Sequence, residues 1–431
     1  ICCVIEDKKS LAKNKKFGVD EDNLFIWILV IIAIAFPSIL YWADRTGFGV
    51  ILKPIFLGLS IPFSLAAGLS TVFALGEFVA APASGFLTRK FGVVYALILG
   101  IGIFSLFTVI EGISTNTTEI FGARILTGVG EALFYPVALS LAGMLALKYR
   151  GTSIGIVNVL QGIGVFSGSI IYASLYVITS DWRYVLIIAG IIGFVVCFVS
   201  FVLLRFPRII HDRILKLDEL SKKNKLESNE VLPLKEKIGS RDGFFGIIIM
   251  GLLGFIQWPW LVLIATYLED NGFSVLAAGT IAGIIGVGFI LAAFGGFLGD
   301  KVDRRFLLVI GSFGEIIATF LMFGYKFGFY QDLLIAAFFG TCTSALVFTN
   351  TLAIVQNSVP KRRDIPFISG YAMGAYYGTG FVSGFVVGRL VTLTGWLDAM
   401  AIVVVFPSAV CVALAIFLNP KRINKGVLQT S

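Results

Sequence analysis

The sequence predicts an all-α membrane protein: twelve transmembrane helices in two pseudo-symmetric six-helix bundles, with both termini cytoplasmic. Three observations predict it: composition, the recurrence of apolar runs, and the placement of positive charge. The chain is 57% hydrophobic and 14% charged, with a mean hydropathy of +0.93, whereas a soluble domain has about 25% charged residues. Apolar runs fall at about 24–43, 60–87, 92–111, 119–147, 151–179, 184–204, 244–267, 274–299, 306–325, 332–359, 366–393 and 396–418. Each approaches or exceeds the roughly 20 residues that span a bilayer. Helices satisfy every backbone polar group in such segments, and the alternating polarity of a β-barrel strand does not occur.

With the N-terminus cytoplasmic, all but six of the 34 Lys and Arg fall at cytoplasmic ends. The six are Arg45, Lys53, Arg124, Arg183, Lys326 and Arg389. This asymmetry is the positive-inside rule. The net charge of +8 therefore sets orientation and needs no nucleic-acid partner.

The five cysteines, Cys2, Cys3, Cys197, Cys342 and Cys411, lack metal or disulfide spacing. Three lie in apolar runs and read as small core residues; Cys2–Cys3 could carry lipid. The first apolar run follows a charged tail and is long enough to span, so no cleavable signal peptide is expected. Asn116–Thr117–Thr118 forms a glycosylation sequon in a loop expected outside, at a frequency near chance. Pro37, Pro62, Pro82, Pro136 and Pro259 are expected to kink their helices.

Hydropathy collapses between 205 and 243, where ten basic and seven acidic residues gather. The expected organisation is a cytoplasmic tail (1–23), an N-terminal bundle (24–205), a cytoplasmic linker (206–243) with room for one amphipathic helix, a C-terminal bundle (244–418) and a cytoplasmic tail (419–431). The bundles read as repeats. GFLTRKFGVV from Gly85 corresponds to GFLGDKVDRR from Gly296, and Arg150 corresponds to Arg363, 213 residues on. Gly155, Gly164 and Gly168 in the fifth run, and Gly370, Gly374, Gly378, Gly380, Gly384 and Gly388 in the eleventh, mark close helix packing.

On these residues the chain resembles the major facilitator superfamily. The family's loop motif G-x-L-x-D-[RK]-x-G-[RK]-[RK] is nearly complete in the second copy, at Gly296, Leu298, Asp300, Lys301, Arg304 and Arg305, with Asp303 in place of glycine. The first copy keeps Gly85, Leu87, Lys90 and Gly92, but Arg89 replaces the aspartate and Val93–Val94 the basic pair. The resemblance implies a cytoplasmic gate built from Arg89, Lys90, Asp300, Lys301, Arg304 and Arg305, latched differently from the family's. RILTGVGEA, with Arg124, Gly128, Gly130 and Glu131, is similar to the family's fourth-helix pattern; Ser169 replaces a fifth-helix proline.

Within the superfamily, Asp44–Arg45 after Tyr41, together with Arg124 and Glu131, resembles the anion:cation symporters of sugar acids and other organic anions. That resemblance implies proton coupling at Asp44 and Glu131, with Glu77 as an added acid where a tyrosine is expected. It implies substrate contacts from Arg45, Arg124 and Gln161.

Arg124 and Glu131 are seven residues apart, so they share a helix face about 10 Å from each other. Each needs another partner, and Asp44 and Arg45 are the obvious ones. The repeat offset maps Arg124 to Ala337 and Glu131 to Ser344, so the C-terminal bundle is expected to contribute hydrogen-bonding and aromatic groups: Gln257, Trp258, Asn350, Gln356, Tyr371, Tyr376 and Tyr377. Glu315 is a further acid inside a span. Structural readings stand beside these: Arg124 bonding carbonyls, Glu131 neutralising it, Asp44–Arg45 wet at an interface, Glu77 pairing a base. The single histidine, His211, lies in the linker, so no imidazole relay crosses the membrane.

The function this implies is proton-coupled symport of an organic anion by alternating access, in a monomer spanning a lipid bilayer, in a prokaryotic plasma membrane given the short loops and tails. Its partners are a small-molecule anion and protons. The alternatives are a proton-driven exporter of drugs or metabolites and a sensor on a transporter scaffold. No phosphate-binding loop, nucleophile elbow or metal-ligand cluster appears, so neither enzyme activity nor a cofactor is expected.

Overall fold

The computed structural model describes residues 24–145, 150–205, 241–358 and 365–420. The expectations placed on the tails, Lys148, the linker with His211, and Lys361–Arg363 lie outside the described residues. Side chains are not described for a few residues within them, among them Arg89.

The N-terminal half runs α1 (Leu24–Val50), α2 (Leu52–Gly58), α3 (Phe63–Thr71), α4 (Phe73–Phe91), α5 (Val93–Ile113), α6 (Thr117–Leu145), α7 (Arg150–Thr179) and α8 (Trp182–Arg205). The C-terminal half runs α9 (Arg241–Asp270), α10 (Val275–Ile284), α11 (Gly286–Ile290), α12 (Ala292–Gly299), α13 (Arg304–Gly324), α14 (Phe329–Gly340), a π-helical stretch (Thr341–Phe348) and α15 (Thr349–Asn357). It ends with α16 (Ile365–Thr394), α17 (Trp396–Met400), a π-helical stretch (Ala401–Val405) and α18 (Phe406–Phe417). Ten segments among the described residues are long and apolar enough to cross a membrane. Outward-facing side chains are large and greasy: Ile178, Phe198, Phe306 and Phe406 are all exposed. Water would reject such a surface, and lipid accepts it.

Expected kinks and observed breaks differ. α1, α6 and α9 run through Pro37, Pro136 and Pro259 as continuous helices. Pro62 does stand at a break, as the N-cap of α3 after α2 ends at Gly58. The other interruptions fall away from the expected prolines, between α3 and α4 at Val72, between α10, α11 and α12 at Ile285 and Leu291, and in the two π-helical stretches. A neighbouring helix can take up the backbone groups a membrane proline frees, so proline does not dictate where regular geometry stops.

Glycines set the packing. A Cβ on Gly168 would meet Ala43 of α1, and one on Gly128 would strike the Phe73 carbonyl of α4. Others let the two halves meet. Gly286 lies against the Gly162 carbonyl, and Gly384 against Ala67 and Thr71. Of the eleventh-run glycines, Gly370 faces open space, while Gly374 and Gly378 come only within 3.8–3.9 Å of Phe78.

The halves are closed together at one end. Lys53 pairs with Asp270 at 2.6 Å, Phe63 lies 5.4 Å from Trp396 between ring centroids, and the Thr71 hydroxyl donates to the Phe381 carbonyl at 3.0 Å. At the other end, the described ion pairs of the α12–α13 loop are local. Arg304 donates to Asp300 at 2.5 Å and Arg305 to Asp303 at 2.7 Å. Asp303, which stands where the motif has glycine, caps α13 by accepting from the Arg305 amide at 3.0 Å. Lys301 lies 4.3 Å from the Phe297 ring and Lys90 5.2 Å from that of Phe91.

Candidate functional site

Adjacent residues on a helix point about 100° apart, and α1 uses this to serve two clusters. Asp44 turns into the N-terminal half. It accepts from Arg124 Nη1 at 2.6 Å, from the Tyr172 hydroxyl at 3.0 Å and from Thr108 at 3.5 Å. The same guanidinium nitrogen reaches Glu111 at 3.4 Å, and Thr127 donates to Glu111 at 2.7 Å. A void of about 10 Å³, room for one water, lies beside Asp44, lined by Ser105, Thr108, Tyr172 and Gly190 among others.

Arg45 turns the other way, toward the C-terminal half. It donates to Glu131 at 3.0 Å and makes a shorter contact with Glu77. The Tyr41 hydroxyl also donates to Glu77, at 2.9 Å, and sits 3.5 Å from that of Tyr377. Aromatic faces box the guanidinium: Tyr41 at 3.8 Å, Phe73 at 4.8 Å, Trp42 at 4.9 Å, Trp258 at 5.5 Å and Tyr377 at 5.8 Å. Trp42 and Trp258, from opposite halves, stack nearly parallel at 6.3 Å.

All six charged groups, four carboxyls and two guanidiniums, are at most 4% exposed. Asp44 is therefore not wet at an interface. Buried charge is tolerated in a membrane protein only when paired, and here the pairing is incomplete. If every group is ionised, two negative charges are uncompensated; two protons on the carboxyls make the set neutral. Several polar atoms have no hydrogen-bond partner among the described residues: Arg45 Nε and Nη1, Arg124 Nε and Nη2, Trp42 Nε1, Trp258 Nε1, Glu77 Oε2 and Glu131 Oε1.

Around this centre the sequence-expected residues divide. Asp44, Arg45, Glu77, Arg124 and Glu131 form the two clusters, paired as the seven-residue spacing required. Gln161 accepts from Tyr135 at 3.3 Å, and Tyr135 stacks on Tyr41 at 4.8 Å, so Gln161 supports the aromatic box from behind. Gln257 donates to Ser344 at 2.9 Å and accepts from Tyr376 at 2.5 Å. The repeat offset carries Asp44 and Arg45 onto Gln257 and Trp258, and Glu131 onto Ser344. The C-terminal half joins neutral groups at these positions, and the pairing differs, since Gln257 bonds Ser344 whereas Asp44 bonds Arg124.

Asn350 does not join the cluster. It donates to the Leu346 carbonyl at 2.9 Å, with its side-chain oxygen against Gly299. Gln356 bonds Ser369 at 3.3 Å. Glu111 went unnoticed in the sequence because it lies two residues from the end of α5, where an acid reads as interfacial, yet it is fully buried. Asn116 is the N-cap of α6, accepting from the Glu119 amide at 3.0 Å.

Two helical halves closing over a buried, partly paired charge cluster define a multi-pass membrane transporter. The model of the Major Facilitator Superfamily matches residues 34–365, and the chain belongs to that superfamily, whose members are transporters and not enzymes. The chain is 26% identical over 333 residues to "Multidrug resistance protein 2" of Bacillus subtilis (strain 168), covering 75% of this chain and 78% of that one. It is 29% identical over 161 residues to the "Probable L-galactonate transporter" of Escherichia coli (strain K12), covering 37% and 35%. The fold superposes with a TM-score of 0.70 on a solved bacterial homologue of the human lysosomal transporter Spinster, in an inward-facing and unoccupied conformation, at 17% identity and over 94% of this chain and 98% of that one.

Proposed function

We propose that this transporter couples protons to the movement of an organic anion, a sugar acid or other carboxylate, by alternating access. One observation carries the reading. Arg45 sits where the two halves meet, and it keeps two buried N–H donors without a hydrogen-bond partner among the described residues. A guanidinium edge of this kind takes a carboxylate through two parallel hydrogen bonds. The unpartnered indole N–H groups of Trp42 and Trp258 would take further oxygens of a hydroxylated substrate, and the flat rings would pack on its carbon skeleton.

Coupling follows from charge balance. A substrate carboxylate that takes Arg45 competes with Glu77 and Glu131 for the same cation. The acid that loses its partner is left buried and unpaired, which is costly unless it binds a proton. Substrate and proton thus favour each other's binding. Asp44, Arg124 and Glu111 form the second cluster, on the far side of Phe73, whose ring lies 4.8 Å from the Arg45 guanidinium and 5.1 Å from that of Arg124, and serve as a proton site that substrate does not touch. With both termini cytoplasmic, the closed end of the molecule is the outer one. In this reading the protein works as a monomer in a prokaryotic plasma membrane.

The test is uptake into proteoliposomes under an imposed inward pH gradient, with labelled galactonate, gluconate, glucuronate and small carboxylates, and a protonophore control. Accumulation of one anion that collapses with the gradient supports the reading. A folded protein that moves none of them overturns it. A second reading, proton-driven export of lipophilic cations, draws on the excess of acids over bases in the cluster and on the similarity to the Bacillus protein. Under it Glu77 meets the substrate directly, and binding of cations in place of carboxylates tells the two apart.

A further inference from the structure

A further buried carboxyl, that of Glu315, lies in the C-terminal half, outside both clusters. Glu315 is the twelfth residue of the 21-residue helix α13, about 16 Å from its start and about 14 Å from its end. It is completely buried and forms no ion pair among the described residues. One oxygen accepts from Ser408 of α18 at 2.9 Å; the other has no hydrogen-bond partner.

The surroundings are rich in oxygen. Thr343, on the π-helical stretch Thr341–Phe348, places its hydroxyl beside the same carboxyl. Ser312 lies three residues back on α13, on the same face. The hydroxyls of Thr343 and Ser312 are both buried and both without a hydrogen-bond partner. Gly311 and Gly314 let α13 press onto the π-helical stretch: a Cβ on Gly314 would strike Cys342, and one on Gly311 would come within 3.0 Å of the Cys342 carbonyl. The stretch itself departs from the α-helical hydrogen-bond ladder, a feature common at functional sites.

An isolated carboxylate in this position is prohibitively costly. A proton would neutralise it and join Glu315 to Thr343, but leave the Ser312 hydroxyl without a partner. A monovalent metal ion would neutralise the single negative charge and engage the orphaned oxygens of Glu315, Thr343 and Ser312 together. All are hard donors, suited to an alkali ion and not to a transition metal, and one carboxylate matches one positive charge.

We propose that Glu315, Ser408, Thr343 and Ser312 form a sodium site in the core of the C-terminal half, separate from the proton clusters. Its effect would be to tie α13, the π-helical stretch and α18 together.

The experiment is thermal unfolding of the purified full-length chain in detergent, in NaCl against choline chloride at equal ionic strength. A site with sodium at 100 times its Kd raises the Tm of a chain this size by about 3 °C. The expected result is a saturating rise in sodium, abolished in Glu315→Gln and reduced in Thr343→Val, but kept in Asp44→Asn. Equal Tm in sodium and choline for the unmutated chain overturns the proposal. So does a Tm that responds to pH alone, which assigns Glu315 a proton. The unmutated chain and Thr343→Val keep the test decisive if Glu315→Gln does not fold.

Discussion

Asp44 and Arg45 are neighbours in sequence and partners of different clusters. Asp44 bonds Arg124 at 2.6 Å inside the N-terminal half, while Arg45 bonds Glu131 at 3.0 Å and faces the other half through its aromatic box. One helix step thus separates the proposed proton site from the proposed substrate site.

Asp44→Asn and Glu131→Gln should each abolish gradient-driven accumulation. Asp44→Asn should leave substrate exchange between the two sides intact, since it removes a proton carrier that substrate does not touch. Parallel accumulation and counterflow assays in proteoliposomes check both. Normal accumulation in both variants would sink the coupling scheme.

Glu111→Gln should lower the number of protons carried per substrate without abolishing accumulation, since Asp44 remains. It neutralises the acid that shares Arg124 with Asp44 and leaves Arg124 one full partner. The reversal potential of transport at set pH and substrate gradients reads the ratio directly. An unchanged ratio would make Glu111 a purely structural partner of Thr127.

Arg45→Met should destabilise the folded chain, because Glu77 and Glu131 lose their only ion-pair partner among the described residues. Leaving one side of a buried pair costs about 3–5 kcal/mol. Adding Glu77→Gln and Glu131→Gln should restore the Tm but not transport. That pattern in thermal unfolding and uptake separates the structural role of Arg45 from its role in binding.

Trp258→Phe keeps an aromatic ring over Arg45 and deletes an N–H that has no hydrogen-bond partner among the described residues. The loss of one substrate hydrogen bond of about 1.4 kcal/mol should raise KM about tenfold, with little change in Tm. Trp42→Phe should do the same. A KM unchanged in both would remove the indoles from the substrate contacts.

Lys53 and Asp270 join the halves at their closed end, 2.6 Å apart. A disulfide between Lys53→Cys and Asp270→Cys should stop transport, and reducing agent should restore it. Transport that continues through the oxidised pair would argue against opening at this end.

Much of this molecule was legible in its sequence. Apolar runs long enough to cross a bilayer fix helices locally, because a backbone in lipid has no other way to satisfy its polar groups. The need of Arg124 and Glu131 for separate partners followed from two turns of helix geometry. Three things were not legible. Glu111 reads as an interfacial acid until α6 brings Arg124 and Thr127 over it. Asn350 reads as a cavity residue until its helix turns it onto backbone carbonyls. Of the prolines expected to bend helices, Pro62 marks a break, as the N-cap of α3, while Pro37, Pro136 and Pro259 lie inside continuous helices.

The sequence by itself determined that the chain is a multi-pass membrane protein and pointed to most of the charged groups its helices bury. Which acid meets which arginine was decided only by the tertiary structure. Hydropathy is a property of each segment alone, whereas pairing depends on how far each helix turns about its axis as it packs. Small residues such as Gly128 and Gly168, pressed against Phe73 and Ala43, set that rotation.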